Sequence, residues 1–304
     1  MKKLLYLLLI ISISCTPQLY EHRIDLKEQE LSSFLKHANG SPLLVSAHRG
    51  GRGYEGYPEN SIQAFAYTAY HLPAIIECDV RLSKDSVLVL LHDDDLDRTT
   101  TGKGPIKDKT WSELQDLNLV DDFGTGTSYH IPSLRHALNW GRGKVVFTLD
   151  VKRGIPFEKV VDLVEEMDAE NYAAIITYNW KDAKHVHSLN PNLMISIGMR
   201  KLEDIEKHWP ASGIPANRIL AFTGYATKDP YEPPMDLIKK LQAEGIPVIF
   251  GRFGGDGDKS LQNSYRKLAE NGIDIWTIDY PKLARKTLPD YEGQDRIEKR
   301  VLNP

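Results

Sequence analysis

Glu77 and Asp79 sit two apart in an apolar run, Ile75-Ile76-Glu77-Cys78-Asp79-Val80, so on a strand both carboxylates leave the same face. The run continues to Ser83, Lys84-Asp85 is the expected two-residue reversal, and a second apolar run returns from Ser86 to His92. With Ser83 opposite Ser86, Asp79 faces Leu90 and Glu77 faces His92. A carboxylate pair beside an imidazole suits a metal site with an acid or base at its edge. The expectation hangs on loop length, because a change of one residue turns His92 to the other face.

Those groups need a frame. Apolar runs of strand length recur at 43–50, 75–83, 144–152, 173–179, 193–199, 219–225, 246–253 and 273–280. Helices are predicted between them over 61–71, 157–169, 234–245 and 260–272, the last two closed by glycine. This alternation predicts an α/β fold, a (β/α)8 TIM barrel over residues 41–289. No Walker-type phosphate loop is present, which argues against an open nucleotide-binding sheet of that kind. The polar, glycine-rich stretch from about 94 to 132 reads as a small insertion over one end of the barrel, with one short helix at 111–117.

In a parallel barrel the C-terminal strand ends face the site. The first strand ends in His48-Arg49-Gly50, the second carries Glu77 and Asp79, the return brings His92-Asp93, and the third ends in Asp150-Val151-Lys152. Three carboxylate ligands suit one hard divalent cation, Mg2+ or Ca2+, better than zinc. Arg49 and Lys152 add the positive charge that, with a cation, clamps a phosphoryl group. Cys78 points away from this face and reads as a small buried apolar residue. His71, His130, His136, His185, His187 and His208 read as structural or solvated.

A net charge of −4 and the lack of a basic run argue against nucleic acid as a partner. Residues 1–14, two lysines in an apolar stretch too short to span a bilayer, read as an export signal. Cys15 follows, as in the lipobox of bacterial lipoproteins, although Ser12 stands where that motif usually has leucine. The expectation is an exported protein, anchored to the envelope membrane by lipid on Cys15, with plain secretion as the alternative. Residues 15–40 then form a tether and first helix, and 290–304 a charged tail.

Taken together, His48-Arg49-Gly50, Pro58-Glu59-Asn60-Ser61, Glu77-Cys78-Asp79-Val80, His92-Asp93, Leu96-Asp97-Arg98-Thr99-Thr100, Ile131-Pro132-Ser133-Leu134, Asp150-Val151-Lys152 and Asp279-Tyr280-Pro281 resemble the glycerophosphodiester phosphodiesterase family. The resemblance implies a metal-dependent hydrolase that converts glycerophosphodiesters to glycerol 3-phosphate and an alcohol. It also implies His48 and His92 as the acid–base pair, Glu77 and Asp79 as metal ligands, and Arg49 and Lys152 as phosphate contacts. The family's third metal ligand is usually the glutamate of Glu-x-Lys; here Asp150 is one methylene shorter, so ligation is direct or through water. The family's late Trp-Thr-Val-Asn-like stretch has its nearest counterpart in Trp276-Thr277-Ile278, which makes Trp276 a candidate substrate contact or a core residue. Glu59 is either a helix-start loop residue or a contact to metal or substrate. Neighbouring carboxylates are expected to raise the pKa of whichever histidine serves as acid. Two alternatives remain: a lysophospholipase D-like reaction on the same barrel, and a non-catalytic surface lipoprotein that binds glycerophosphodiesters.

Overall fold

All eight apolar runs become strands: β1 (Leu44–Ala47), β2 (Ala74–Leu82), β3 (Val146–Val151), β4 (Ala173–Thr177), β5 (Met194–Gly198), β6 (Ile219–Ala226), β7 (Val248–Arg252) and β8 (Ile275–Ile278). Each pairs in parallel with the next, and β1 also pairs with β8, so the sheet closes into the expected (β/α)8 barrel. The computed structural model describes residues 22–27, 29–38, 43–227, 232–254 and 259–287. The export signal, Cys15 and the tail at 290–304 lie outside the described residues.

Period two sorts the strand residues. Ile76, Cys78 and Val80 of β2 and Phe147 and Leu149 of β3 point outward into the core beneath the helices. The inward residues change character along the axis. Leu44, Ile75, Val146, Ala174, Met194, Leu220, Ile249 and Ile275 form an apolar bottom layer. Above it, Ser46, Glu77, Thr148, Ser196 and Thr277 are polar and line a cavity open at the C-terminal end.

That bottom layer would face water were it not covered. Ile24, Leu26 and the helix Leu31–Leu35, through Leu31, Phe34 and Leu35, pack against it. The Ile24 N–H donates to the Lys144 carbonyl at 2.9 Å and the His22 N–H to the Ala69 carbonyl at 2.8 Å. The expected first helix is therefore present, and with Ile24 and Leu26 it is a plug of the barrel, not part of a loose tether; the tether expected from residue 15 falls, up to residue 21, outside the described residues.

The hairpin register is also corrected. The return strand Leu88–Leu90 pairs Val80 with Leu90, one residue away from the expected Asp79–Leu90 pair. The loop is Lys84-Asp85-Ser86, closed by Ser83 N–H to Val87 O at 2.9 Å, with Ser86 in the left-handed region at φ 69°. His92 therefore does not face Glu77 across a ladder; it lies past the strand end, in a bend whose His92 carbonyl accepts from Arg81 Nε at 3.2 Å and Nη2 at 2.5 Å.

The insertion has a core of its own, with Val89, Leu91, Leu96, Ile106, Leu114, Leu119 and Ile131 packed together. Its helix is Trp111–Leu114, shorter than expected and closed at its start by a Thr110/Glu113 capping box. Its small antiparallel sheet joins Asn118–Val120 to Gly126–His130. The turn of that sheet reaches the loop after β1: Asp121 accepts from the Gly56 N–H and Asp122 from the Gly53 N–H, each at 2.8 Å. The insertion thus braces the C-terminal end of the barrel.

Candidate active site

The chain leaves β1 through a single tight turn, His48–Gly50, in which Arg49 is left-handed at φ 57°. Gly50 follows at φ +81°, and a Cβ there would lie 2.2 Å from the Phe65 ring, so only glycine fits. This turn aims the Arg49 N–H at Glu77 Oε2, 2.8 Å away. It also places His48 Nδ1 2.6 Å from Asp279 Oδ1. Asp279 directly follows β8, whose Ile278 pairs with Ala47, so barrel closure brings the two residues together. Burial opposes ionisation of Asp279, but the His48 hydrogen bond and charge hold its pKa below the usual carboxylate value.

Register builds the acid cluster. Asp79 is level with Asp150, and Glu77 with Thr148. Glu77, Asp79 and Asp150 each bring an oxygen within 4.8 Å of the others. Asn60, itself left-handed at φ 58°, clasps Asp79: its amide donates to Asp79 Oδ2 at 2.6 Å and its carbonyl accepts the Asp79 N–H at 2.9 Å. Lys152 Nζ lies 2.6 Å from Asp79 Oδ1 and 2.5 Å from Asp150 Oδ2, and Tyr178 donates to Asp150 Oδ1 at 2.5 Å. Burial, then repulsion from Asp79 and Asp150, push the Glu77 carboxyl well above the usual range. Asp79 moves the other way, since Lys152 and Arg49 outweigh its burial. Asp79 Oδ1 is buried without a hydrogen bond of good geometry despite the ammonium beside it. Three converging carboxylates form an oxygen-only donor set that fits a hard divalent cation.

A second network carries the other histidine. His92 Nδ1 is 2.7 Å from Asp93 Oδ1, and Asp93 accepts from Arg98 Nε at 2.7 Å. Arg98 also grips Glu59 in a bidentate pair at 2.7 and 3.1 Å, and Glu59 accepts from Arg49 at 3.0 and 3.1 Å. His92 is near enough to Asp79, Arg49 and Lys152 for all three to act on its charge. Its pKa nevertheless falls below the ordinary imidazole value, because burial outweighs Asp79 and the Asp93 hydrogen bond while Arg49 and Lys152 add to the fall. The expected upward shift is therefore not found at His92.

Residues 48–210, more than half of the chain, match the model of the glycerophosphoryl diester phosphodiesterase family. The chain belongs to this family. Among its relatives, the glycerophosphodiester phosphodiesterase of Caldanaerobacter subterraneus subsp. tengcongensis is 35% identical over 162 residues, which cover 51% of this chain and 65% of that relative. The match thus spans slightly less than two thirds of that relative. A crystal structure of a glycerophosphoryl diester phosphodiesterase from Parabacteroides distasonis superposes with a TM-score of 0.79 at 35% identity, covering 89% of this chain and 93% of that one. A phosphodiesterase of Oleispira antarctica, solved in complex with the product sn-glycerol-3-phosphate, shares the fold with a TM-score of 0.59 at 20% identity.

Within this barrel, His48, Arg49, Glu77, Asp79, His92, Asp150 and Lys152 converge as the sequence predicts. Two candidates do not join them. Trp276 is fully buried on the outer face of β8, against the Tyr265 ring at 5.8 Å, because alternation turns Thr277 inward instead. Glu59 is 3% exposed and enclosed by Arg49, Arg98 and, at 3.4 Å, Arg52, so it holds the cations rather than contacting substrate. Five participants were given no role from sequence: Asp279, Asn60, Asp93, Arg98 and Tyr178, of which all but Tyr178 lie in the motifs that carry the family resemblance. Asp279 and Tyr178 each follow the end of a barrel strand, so extending the strand-end inventory to β4 and β8 would have found them.

Proposed function

We propose that the protein hydrolyses glycerophosphodiesters to glycerol 3-phosphate and an alcohol with the help of one bound Mg2+ or Ca2+. The observation that carries this reading is the arrangement around the acid cluster: two histidines, each with a carboxylate on Nδ1, beside two cations poised for a phosphoryl group. The product bound by the Oleispira antarctica relative is of the same chemistry. Glu77, Asp79 and Asp150 would hold the cation. When bound, it would supply positive charge to the non-bridging phosphoryl oxygens.

Arg49 and Lys152 share that task, and both are pre-aimed by their acid partners. With Nδ1 directed to a carboxylate, each histidine presents Nε2 for proton transfer. One removes the proton from the attacking oxygen, which belongs to water or to the neighbouring glycerol hydroxyl. The other protonates the departing alkoxide.

The test is release of glycerol 3-phosphate from glycerophosphodiesters by the full chain, with Mg2+ or Ca2+ and with excess chelator. His48→Ala and His92→Ala should each lower turnover by roughly 10²- to 10⁴-fold with the circular dichroism spectrum unchanged. Near-full activity in either variant, or unchanged turnover under chelation, would refute the reading. We also propose export and lipid anchoring at Cys15, supported by the lysine pair and apolar stretch before it. Cys15→Ala should move the protein from the membrane to the soluble fraction and abolish palmitate labelling; an unlabelled wild-type chain would rule the anchor out.

A further inference from the structure

The cavity of about 630 Å³ carries charge of both signs. Glu77 and Asp150 line it, and so do three cations, Arg153 just after Lys152, and Arg200 and Lys201 just after β5. An aromatic wall joins them. Phe253 lies 4.6 Å from the His48 ring, Tyr225 is 5.5 Å beyond it, and Phe222 a further 6.4 Å along. At its end the Arg200 guanidinium sits 5.4 Å over the Phe222 ring.

The acids beside these cations are already engaged. Asp204 accepts the backbone N–H groups of Arg200 and Lys201 at 2.9 and 3.0 Å and the Trp180 indole at 3.2 Å, while Glu203 pairs with Lys207 at 3.0 Å. Among the described residues, none of Arg153, Arg200 and Lys201 is paired with a carboxylate.

We propose that this wall is the subsite for the second ester arm of the substrate, and that it selects alcohols bearing a further anionic group, a phosphate or a carboxylate. The proposal rests on the phosphodiesterase reading above. The glycerol arm is uncharged, so the arm lying along these cations is that of the alcohol. A quaternary ammonium head group is disfavoured twice: the cations repel it, and Arg200 already covers the ring face of Phe222 that would hold it. Guanidinium forks suit phosphate and carboxylate alike.

The test compares kcat/KM for glycerophosphocholine, glycerophosphoglycerol, glycerophosphoglycolate and bis(glycerophospho)glycerol in one buffer with Mg2+ or Ca2+. The anionic pair should exceed glycerophosphoglycerol, with glycerophosphocholine last; whichever of the glycolate and bis-phosphate diesters leads identifies the preferred anion. Arg200→Ala and Arg153→Ala should each shrink the anionic-to-neutral ratio roughly fivefold or more, Arg200→Lys should retain most of it, and high salt should compress it. Turnover of glycerophosphoglycerol with no anionic preference, or a preference indifferent to both alanine variants, overturns the subsite alone. No turnover of any of the four overturns the subsite and the phosphodiesterase reading together.

Discussion

Asp279→Asn should cripple the proposed hydrolysis without unfolding the protein. The carboxylate is buried and fully used, with Oδ1 2.6 Å from His48 Nδ1 and Oδ2 2.7 Å from the Gly254 N–H. Asparagine has the same shape but only one acceptor oxygen. If that oxygen faces His48, the amide meets the Gly254 N–H donor to donor, and the histidine keeps only a neutral partner. Exchanging a charge-assisted for a neutral hydrogen bond costs about 1–2 kcal/mol, or roughly 5- to 30-fold in kcat. If the amide faces His48, the ring must carry its proton on Nε2, the nitrogen needed for transfer, and the loss approaches the roughly 10⁴-fold known for the wrong tautomer in serine proteases. The assay is kcat and KM for glycerol 3-phosphate release, with nitrogen-detected NMR of the imidazole to read the tautomer. Because Asp279 acts through His48, adding Asp279→Asn to His48→Ala should cost little more. A folded single variant with kcat within about twofold of wild type, or full additivity in the double variant, would show that the pair has no part in catalysis.

Two further outcomes follow from burial and charge. Glu77 is held above its ordinary pKa of 4.5, so without a cation the folded state retains a proton that the unfolded chain releases, and stability is lost as pH rises from there through the folded-state value. Glu77→Gln should therefore raise the Tm of the chelated protein by at least about 2 °C near neutral pH, less near pH 4, and blunt the stabilisation by Mg2+ or Ca2+; a lower Tm at neutral pH would contradict the cause given for the shift. Phe34→Ala, at a side chain 2% exposed under the barrel, should cost about 3–5 kcal/mol in thermal or urea unfolding, whereas a tether residue would change stability by less than about 0.5 kcal/mol.

What the sequence exposes is whatever repeats along it. Strand-length apolar runs made the barrel legible, and period two correctly paired Glu77 with Asp79 and Asp150 with Lys152 on one face. The same alternation also contains the answer for Trp276: with Thr277 inward, Trp276 must point out, and the likeness to a motif pulled the other way. The hairpin register hid in Ser86, a residue with no glycine-like preference that nonetheless turns left-handed. Pairings created by closure are not legible in any local stretch, even where each partner is. His48 and Asp279 are 231 residues apart, and the surface that Ile24, Leu26 and Phe34 cover exists only once eight strands have met.

Charge explains why the remaining participants are needed. In the proposed reaction Arg49 and Lys152 face a phosphoryl group, yet three carboxylates beside them would draw both cations in. Lys152 is already shared between Asp79 and Asp150. Arg49 is held back instead: its Nε stays 3.6 Å from Asp79, while Glu59 takes its terminal nitrogen from the opposite side. Burial opposes the Glu59 charge, but Arg98 and Arg49, and at longer range Arg52, share it and keep its pKa low. Arg98 in turn fixes Asp93, and Asp93 fixes His92. The shorter Asp150 fits the same scheme. Level with Asp79 in the register, and gripped by Lys152 on one oxygen and Tyr178 on the other, it reaches the cluster without the missing methylene.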